Sequence, residues 1–246
     1  MQPTPDQRIA QLEAELAAQR SEMQDFTYTV SHDLRASLRH IISYAHLVQE
    51  DAGPQLTEEV QGFLNTITDS AKHMGVLMDG LMELSRLGTV HVNSEAVSLQ
   101  DVLQATREAL LAQYPKRVVQ WNIAGDLPAV QGDAAIVALA MRHVLDNAMK
   151  FTTNTAAPVI HVSAQHDAVN NTVRLTIADN GAGYNPALQD KLFHPFQRLL
   201  TAKQFPGIGM GLALTRKIMQ RMGGAVSAAG QVDAGCTMQL VFKASS

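Results

Sequence analysis

Residues 31–39 read Ser-His-Asp-Leu-Arg-Ala-Ser-Leu-Arg, which places His32 beside Asp33 within a segment, about 6–52, that is predicted to form one long helix. A histidine on the outside of a helix can expose a ring nitrogen as a nucleophile, and a neighbouring carboxylate can orient the ring and accept its proton. Most such pairs are solvated surface residues, so this pair alone is weak evidence for catalysis. It gains weight from motifs later in the chain, which indicate a nucleotide site.

The predicted helix carries a heptad seam in which apolar residues alternate steps of three and four, interrupted once by the polar Gln19. The step of four is repeated from Val30 to Leu34 and Leu38, and such a stutter locally changes supercoiling. The stutter falls on the region of His32. A simple coiled-coil spacer is an equally good interpretation of this segment by itself.

A second helix is predicted after the break at Gly53-Pro54, with Thr57 just before its start. Its own apolar seam consists of Val60, Leu64, Ile67, Ala71, Met74, Met78 and Leu81. Two antiparallel helices of this length have too little apolar surface to close a core, so the pairing of two chains into a four-helix bundle is the natural solution. We therefore expect a homodimer.

The composition excludes several classes of function. The chain has 246 residues, enough for one large domain or two small ones, and a net charge of -4 without a basic stripe, so we expect no nucleic-acid partner. The lone Cys236 cannot form an intramolecular disulfide, which favours a reducing compartment. Because no long apolar run and no secretory signal occur, we expect no membrane contact within this chain. A cytoplasmic location follows, either for the whole protein or for the cytoplasmic part of something longer.

From about residue 96 onward, helical and strand patterns mix, which favours a layered α/β domain. Helices are predicted over 99–114, 134–150 and 212–222, and strands over 118–123, 159–164, 173–178, 225–228 and 237–242. The predicted fold class is thus α+β, with a long helical hairpin followed by the layered domain. The segment 184–208 is long for a loop in such a domain, which is typical of functional loops.

Two short motifs in this region have the residue types of a nucleotide site. At the end of a predicted helix, the side-chain oxygen of Asn147 can bind Mg²⁺ and Lys150 can meet phosphate oxygens, although both residue types are also common at helix ends. The run Asp179-Asn180-Gly181-Ala182-Gly183 follows a predicted strand, and its glycines permit a close backbone approach to a ligand. Asp179 can accept a hydrogen bond from an exocyclic amine. A tight turn explains this run equally well.

A third motif, Gly207-Ile208-Gly209-Met210-Gly211-Leu212, opens a predicted helix, where alternate glycines form a nest for phosphate. It is not a dinucleotide fingerprint, because it follows a long loop instead of a strand and no βαβ unit surrounds it. A Walker phosphate loop is also absent. A nucleophilic histidine and an ATP site on one chain imply phosphoryl transfer to histidine.

Taken in order, these segments resemble the motifs of the sensor histidine kinases of two-component systems, from about residue 20 to the end of the chain. The run from Phe26 to Ile42 looks closest to phytochrome-like and hybrid members. The matching segments are residues 31–35 for the H-box, 147–152 for the N-box, 179–183 and 207–212 for the two glycine boxes, 192–198 for the F-box and 235–237 for the final glycine segment.

The resemblance implies a fold and a mechanism. It implies a coiled-coil signalling helix over 1–25, a dimerisation and histidine-phosphotransfer domain over 26–88, and a catalytic α/β sandwich over 96–246 that binds ATP, of the type shared with gyrase, Hsp90 and MutL. His32 would attack the γ-phosphate of ATP, with Asp33 as base, in the presence of Mg²⁺. The phosphoryl group would then pass to an aspartate on the receiver domain of a response regulator.

The same resemblance implies roles for individual residues of the nucleotide site. Asn147 would hold Mg²⁺, Lys150 would meet the phosphates, Phe151 would lie against the adenine, and Asp179 would read the adenine amino group. The lid hinge and the phosphate cradle would be shaped by Gly207, Gly209 and Gly211. The further candidates for nucleotide contact are Gly181, Gly183, Arg198, Leu212 and Thr237.

Three positions depart from the family pattern. His143 stands where members usually have asparagine and where related ATPases carry the glutamate that activates water, which puts hydrolysis in doubt. Ser37 stands where the family has a proline that kinks the helix. Ala36 lacks the Thr or Asn side chain with which many members position water for phosphatase action. Two alternatives therefore stay open: a degenerate kinase that acts as a dimeric signalling scaffold, and an ATPase of the gyrase or chaperone type, which leaves the His32 helix unexplained.

Overall fold

The computed structural model describes residues 4–200 and 205–245, and the chain divides into two units, Met1–Thr89 and Val90–Ser246. The first unit is the predicted helical hairpin. Its helices are α1 (Pro5–Ala52) and α2 (Glu58–Thr89), joined by a short 3-10 turn (Gly53–Gln55). Within the described ranges, no helix is both long enough and apolar enough to cross a membrane.

Local sequence signals fix the ends of α1. The Thr4 hydroxyl accepts the backbone N–H of Gln7, and the Gln7 side chain accepts the backbone N–H of Thr4, which forms a capping box. Pro5 occupies the first turn, where a missing N–H is tolerated. The helix ends at Ala52, two residues before Pro54, whose ring nitrogen cannot donate to a continuing helix.

The hairpin buries only a narrow apolar stripe. Leu38 on α1 forms a buried cluster with Ala71 and Met78 on α2, and Ile42 packs against that cluster. Large apolar side chains elsewhere on the two helices stay exposed, among them Ile9, Leu12, Leu16, Met23, Phe26, Val30, Leu34, Ile41, Val48, Val60, Ile67, Met74 and Leu81. A single hairpin therefore leaves most of both predicted seams in contact with water.

The second unit mixes three helices with seven strands in its described part. The helices are α3 (Leu99–Gln113), α4 (Ala134–Phe151) and α5 (Gly211–Arg221). The strands are β1 (Glu95–Ser98), β2 (Gln120–Ala124), β3 (Ala129–Gly132), β4 (Val159–Asp167), β5 (Thr172–Asp179), β6 (Ala225–Gly230) and β7 (Cys236–Ala244). The sequence left the region of β1 open between a linker and an edge strand, and the sequence analysis missed β3. With four residues each, both strands are too short to carry a recognisable alternation. The long segment after β5 contains a 3-10 turn (Pro186–Lys191).

All seven strands form one sheet in the order β1-β3-β7-β5-β4-β2, and β6 pairs with β7 beside β3. Every pairing is antiparallel except that of β2 with β4. Alternate residues on the central strands are buried, including Ile160, Val162, Val173, Leu175, Ile177, Met238, Leu240 and Phe242. This period of two buries one face of the sheet beneath the helices. The predicted class, a helical hairpin followed by an α/β sandwich, is confirmed.

The N-box, the first glycine box and the final glycine segment lie at one end of the sheet. β5 ends at Asp179 and β7 begins at Cys236, and these two residues are direct partners across the antiparallel ladder. The backbone N–H of Ala182, just beyond β5, donates to the carbonyl oxygen of Phe151 at the end of α4, 3.0 Å away. The loops that follow α4 and β5 therefore meet at this end.

Candidate functional site

His32 lies on the surface of α1 in an oriented pair with Asp33. Its Nδ1 atom is 3.2 Å from Oδ1 of Asp33, and 65% of the His32 side chain is exposed. When the Asp33 carboxylate accepts a hydrogen bond from Nδ1–H, the lone pair of the neutral ring is on Nε2. That nitrogen is then a nucleophile on an accessible side chain.

The two positions after this pair that depart from the family pattern have simple structural roles. α1 continues through Ser37 without a break, and the Ser37 hydroxyl donates to the backbone carbonyl of Asp33 at 3.3 Å. This is the back-bond that serine makes within a helix. Ala36 is half-buried and has no hydrogen-bonding side chain. The helix beside His32 thus presents no side-chain group for holding water at position 36.

In the second unit, the last turns of α4 present the predicted N-box residues. The Lys150 ammonium lies 3.4 Å from Oδ2 of Asp146 and 3.3 Å from the place that a Cβ on Gly207 would take. The Phe151 ring meets the Phe205 ring edge-on, with the ring centroids 5.1 Å apart. The structure therefore brings the N-box lysine to the second glycine box.

Asn147 is half-buried, and its side chain makes no hydrogen bond to another described residue. An amide oxygen is a suitable ligand for Mg²⁺, which usually keeps water and takes phosphate oxygens of the substrate as further ligands. Nowhere in residues 4–200 and 205–245 do three or more His, Cys, Asp or Glu side chains gather in a way that could hold a metal ion. The residues present thus fit a metal that is held by Asn147 together with the nucleotide, and they do not fit an all-protein cage.

Asp179 closes β5 in a largely buried place. Burial raises the pKa of its carboxyl from the ordinary 3.8 to about 6, although the backbone N–H groups of Gly181 and Cys236 hydrogen-bond to it and act in the opposite direction. The Gly181 N–H lies 2.9 Å from Oδ1. A buried carboxylate with few partners is a strong acceptor for a ligand amine.

Close backbone contacts explain the glycines around Asp179. A Cβ on Gly181 would lie 2.5 Å from the carbonyl oxygen of Phe151, and one on Gly183 would lie 1.8 Å from that of Gln231. A Cβ on Gly235 would lie 1.9 Å from the carbonyl oxygen of Asp179 itself. Each of these positions excludes every other residue, because real Cβ atoms do not approach an oxygen so closely.

The second glycine box joins the F-box to the start of α5. Gly209 has a φ of 74°, and a Cβ there would lie 2.4 Å from the carbonyl oxygen of Gln197. Arg198, the next F-box residue, donates from Nη2 to the carbonyl oxygen of Phe205 at 2.5 Å. This hydrogen bond connects the F-box to the segment that carries Phe205. Residues 201–204, between them, lie outside the described ranges.

Gly211 is the first residue of α5, and the His143 ring lies beneath it. His143 Nδ1 is 3.5 Å from the place that a Cβ on Gly211 would take. Burial lowers the pKa of His143 to about 4, an effect that Asp146 opposes and that Arg142 and Lys150 reinforce. The ring is therefore neutral near pH 7, and its buried Nε2 has no hydrogen-bond partner within the described residues.

The strand register determines on which face of β7 the predicted site residue Thr237 lies. Thr237 pairs with Ala178, whereas Cys236 pairs with Asp179. Because side chains alternate between the two faces of a strand, Thr237 lies on the face opposite Asp179. The structure therefore does not bring the Thr237 side chain to Asp179, and Cys236 takes that place with a thiol whose pKa is raised to about 12 by burial and by Asp179.

One further residue near the motifs was predicted from the sequence, and two others were not. Leu212 is half-buried as the second residue of α5. Sequence reasoning overlooked Phe205 and Tyr184, whose rings are buried against Phe151 and against the backbone of Gly230. Phenylalanine and tyrosine within a long polar loop were the available signal, because a loop buries large aromatic side chains only where it packs onto the domain.

An exposed, carboxylate-oriented histidine on a helical hairpin, in one chain with a glycine-lined cradle on an α/β sandwich, has the organisation of a protein-histidine kinase core. Residues 22–89 match the family described as His Kinase A (phospho-acceptor) domain, and residues 132–246 match the Histidine kinase-, DNA gyrase B-, and HSP90-like ATPase family. With these two domains, the chain matches the core of a sensor histidine kinase.

Individual relatives agree with this assignment. Cyanobacterial phytochrome A of Nostoc sp. is 29% identical over 232 residues, which are 93% of this chain and 29% of that protein. Methanogenesis regulatory histidine kinase FilI of Methanothrix harundinacea is 29% identical over 212 residues, which are 86% of this chain and 24% of that protein. The chain thus spans less than a third of the length of these relatives.

A solved structure supports the fold. Full-length ShkA in complex with AMPPNP superposes with a TM-score of 0.63 at 24% sequence identity, covering 90% of this chain and 46% of that chain. At this level of identity, the likeness establishes the arrangement of helices and strands.

Proposed function

We propose that this chain is an ATP-dependent protein-histidine kinase that phosphorylates itself on His32 and passes the phosphoryl group to an aspartate on a response regulator. The observation that carries the proposal is the His32–Asp33 pair, which leaves Nε2 free on an exposed side chain. Surface His-Asp pairs are common, but this one stands on a chain whose second unit matches an ATPase family.

The chemistry needs one nucleophile and one proton acceptor. Nε2 of His32 attacks the γ-phosphorus of ATP in line, a bond between nitrogen and phosphorus forms, and the bond to the β–γ bridging oxygen breaks to release ADP. The Nδ1 proton of the resulting imidazolium passes to or is shared with Asp33 at 3.2 Å. In the second step, a carboxylate oxygen of the regulator attacks the same phosphorus, and the electron pair returns to Nε2.

The second unit would hold the nucleotide through groups that already meet at one end of its sheet. Lys150 and the glycines at the start of α5 would take the phosphates, since a helix N-terminus and an ammonium both favour anions. Asp179 would accept the adenine amino group, and Phe151 would cover the adenine ring. Asn147 would hold Mg²⁺, which when bound neutralises charge on the phosphates.

The hairpin would act as a dimerisation domain. Its exposed seam side chains, such as Leu34, Ile67 and Met74, are 47–50% exposed in the single chain, and a second copy packed as a four-helix bundle would cover them. We assign signalling to residues 1–25, dimerisation and phosphotransfer to 26–88, and catalysis to 96–246. A monomeric mass in light scattering at micromolar concentration would contradict the bundle.

The direct test is incorporation of phosphate from γ-labelled ATP into the purified chain. His32→Gln should abolish acid-labile labelling and leave nucleotide affinity nearly unchanged, because no step of binding uses His32. His40→Gln is the matched control, since His40 is an exposed histidine farther along the same helix. Labelling that persists in His32→Gln and disappears in His40→Gln would reassign the nucleophile.

A degenerate kinase that serves as a dimeric scaffold is a second candidate. His143 favours it, because a neutral, buried imidazole occupies a position beside Gly211 at the start of α5. A melting shift with Mg²⁺ and ATP, together with no labelling of the wild-type chain, would select the scaffold.

A further inference from the structure

Asp146 joins Lys150, which the proposed function assigns to the phosphates, to Tyr114, which has no role in that scheme. Its Oδ1 accepts the Tyr114 hydroxyl at 2.6 Å, and its Oδ2 lies 3.4 Å from the Lys150 ammonium. The side chains of Asp146 and Lys150 are only 27% and 20% exposed, so water screens this pair weakly. A hydroxyl on one oxygen fixes the carboxylate, and the fixed carboxylate sets the direction in which the lysine extends.

The tyrosine is itself held in place on the end of α3. Tyr114 directly follows the last residue of α3, and its backbone N–H still donates to the carbonyl oxygen of Leu110 within the helix. Burial, together with the hydrogen bond to Asp146, raises the pKa of Tyr114 to about 12, so its hydroxyl keeps its proton and remains a donor at all ordinary pH values.

Arg117 ties the same loop to the last turn of α4. Its Nη2 donates to the carbonyl oxygen of Met149 and to the hydroxyl of Thr152, both at 3.0 Å. Thr152 is fully buried, and its hydroxyl also bonds back to the carbonyl of Ala148 at 2.7 Å. The loop after α3 therefore cannot shift without moving the turn that carries Lys150.

Lysine needs this support more than most residues do. Its four-carbon stem has several rotatable bonds, and an unsupported ammonium samples many positions. Here the ammonium is 3.3 Å from the Cβ position of Gly207, at the start of the glycine box. Without the Tyr114 hydroxyl, the Asp146 carboxylate is free to turn and pair closely with Lys150, in competition with a bound phosphate.

We propose that Tyr114 is a positioning residue for the phosphate chain of ATP, which acts by holding Asp146 so that Lys150 faces the glycine box. The proposal rests on the proposed function, in which Lys150 meets the phosphates. Tyr114 touches neither the substrate nor the reacting atoms in this scheme. Its effect on binding must therefore depend on the presence of phosphates and must pass through Asp146.

The test measures dissociation constants of ATP and adenosine, and the KM and kcat of labelling, for the full chain and its Tyr114→Phe variant. We expect the Kd and KM for ATP to rise about threefold to tenfold, which corresponds to the loss of one hydrogen bond. The labelling rate at saturating ATP should stay within about twofold of wild type, and so should the affinity for adenosine, which has no phosphate. Tyr44→Phe removes a hydroxyl from a tyrosine that is 68% exposed and should change nothing.

A double-mutant cycle then tests the route through Asp146. In an Asp146→Asn background the carboxylate charge is gone, so adding Tyr114→Phe should not weaken ATP binding further. Equal losses for ATP and adenosine, an unchanged ATP affinity, or the same loss in both backgrounds would each overturn the proposal. Wild-type protein that fails to bind ATP at all would instead remove the proposed function on which the proposal rests.

Discussion

Asp179→Asn is expected to stabilise the second unit and to weaken nucleotide binding at the same time. In the folded protein, burial raises the pKa of the Asp179 carboxyl to about 6, against an ordinary value of 3.8. Below pH 3.8, the carboxyl is protonated in both the folded and the unfolded chain, so no stability is lost. As the pH rises from there to about 6, the unfolded chain releases its proton first, so stability falls and stays low at higher pH.

The size of the effect follows from that difference. The pKa of Asp179 is higher by about 2 in the folded chain than in the unfolded chain. This difference corresponds to about 3 kcal/mol of unfolding free energy that is lost above pH 6. Asparagine carries no charge, and its oxygen can keep the 2.9 Å bond from the Gly181 N–H. The amide nitrogen that replaces the second oxygen cannot accept a hydrogen bond as that oxygen can, which offsets about 1–2 kcal/mol of the gain. We therefore expect a net stabilisation of about 1–2 kcal/mol at pH 7.5, which changes to a net destabilisation of about 1–2 kcal/mol below pH 4.

The single tryptophan of the chain makes this measurable in the full protein. Trp121 lies on β2 in the second unit, so its fluorescence during urea unfolding reports on that unit and not on the hairpin. The matched control is Asp167→Asn, because hydrogen bonds from Asn170 lower the pKa of Asp167. That variant should lose stability at neutral pH, not gain it.

Two results would refute this reasoning. One is a destabilised Asp179→Asn at pH 7.5, and the other is a change in stability that is the same at pH 4 and pH 8. ADP titration supplies the second half of the prediction, since the variant offers one oxygen fewer to the adenine amino group. Unchanged ADP affinity would remove Asp179 from the nucleotide site, whatever happens to stability.

Three further outcomes follow from the site. Asn147→Asp should abolish the Mg²⁺-dependent part of the ATP-induced melting shift without unfolding the unit, because it puts a charge beside the phosphates; an unaltered Mg²⁺ dependence would exclude Asn147 as a ligand. Gly209→Ala should destabilise by about 1–3 kcal/mol in urea, since its Cβ would lie 2.4 Å from the Gln197 carbonyl oxygen, whereas Gly75→Ala on α2 has free space and should not. Because Ala36 offers no hydrogen bond, the wild type should not accelerate decay of a phosphorylated regulator, and clear acceleration would show that phosphatase chemistry needs no group there.

Local sequence signals predicted the helical hairpin and most of the second unit, because those signals act over a few residues. The heptad seam of the first helix and the Gly53-Pro54 break each specify an element without reference to the rest of the chain. β3 was not predicted from the sequence, because its four residues are held in a strand by pairing with β1 and β7. Short strands depend on partners that are distant in sequence, which single-sequence patterns do not reveal.

In the candidate site, too, short motifs could be found in the sequence, whereas contacts between distant residues could not. The resemblance to the sensor histidine kinases implied that Lys150 and the glycine boxes share one nucleotide site, and the structure brings Lys150 to Gly207. The faces on which the Cys236 and Thr237 side chains lie could not be predicted from the sequence, because they depend on the register of β7 against β5. A shift of one residue would exchange their faces. The link from Tyr114 to Asp146 spans 32 residues and depends on how α3 packs beside α4.

The sequence analysis interpreted Gly181 and Gly183 as places where the backbone approaches a ligand, and the structure adds close contacts within the chain at these and other glycines. Four glycines lie so close to carbonyl oxygens of the chain that an added Cβ would be only 1.8–2.5 Å from the oxygen. These contacts join one loop to another: Gly181 to Phe151, Gly183 to Gln231, Gly209 to Gln197 and Gly235 to Asp179. Gly207 and Gly211 differ, because they face the Lys150 ammonium and the His143 ring at 3.3 and 3.5 Å. A flexible lysine end can yield to a methyl group, and a backbone carbonyl cannot. The first four glycines therefore determine whether the loops assemble, and the other two border the space in which phosphates would lie.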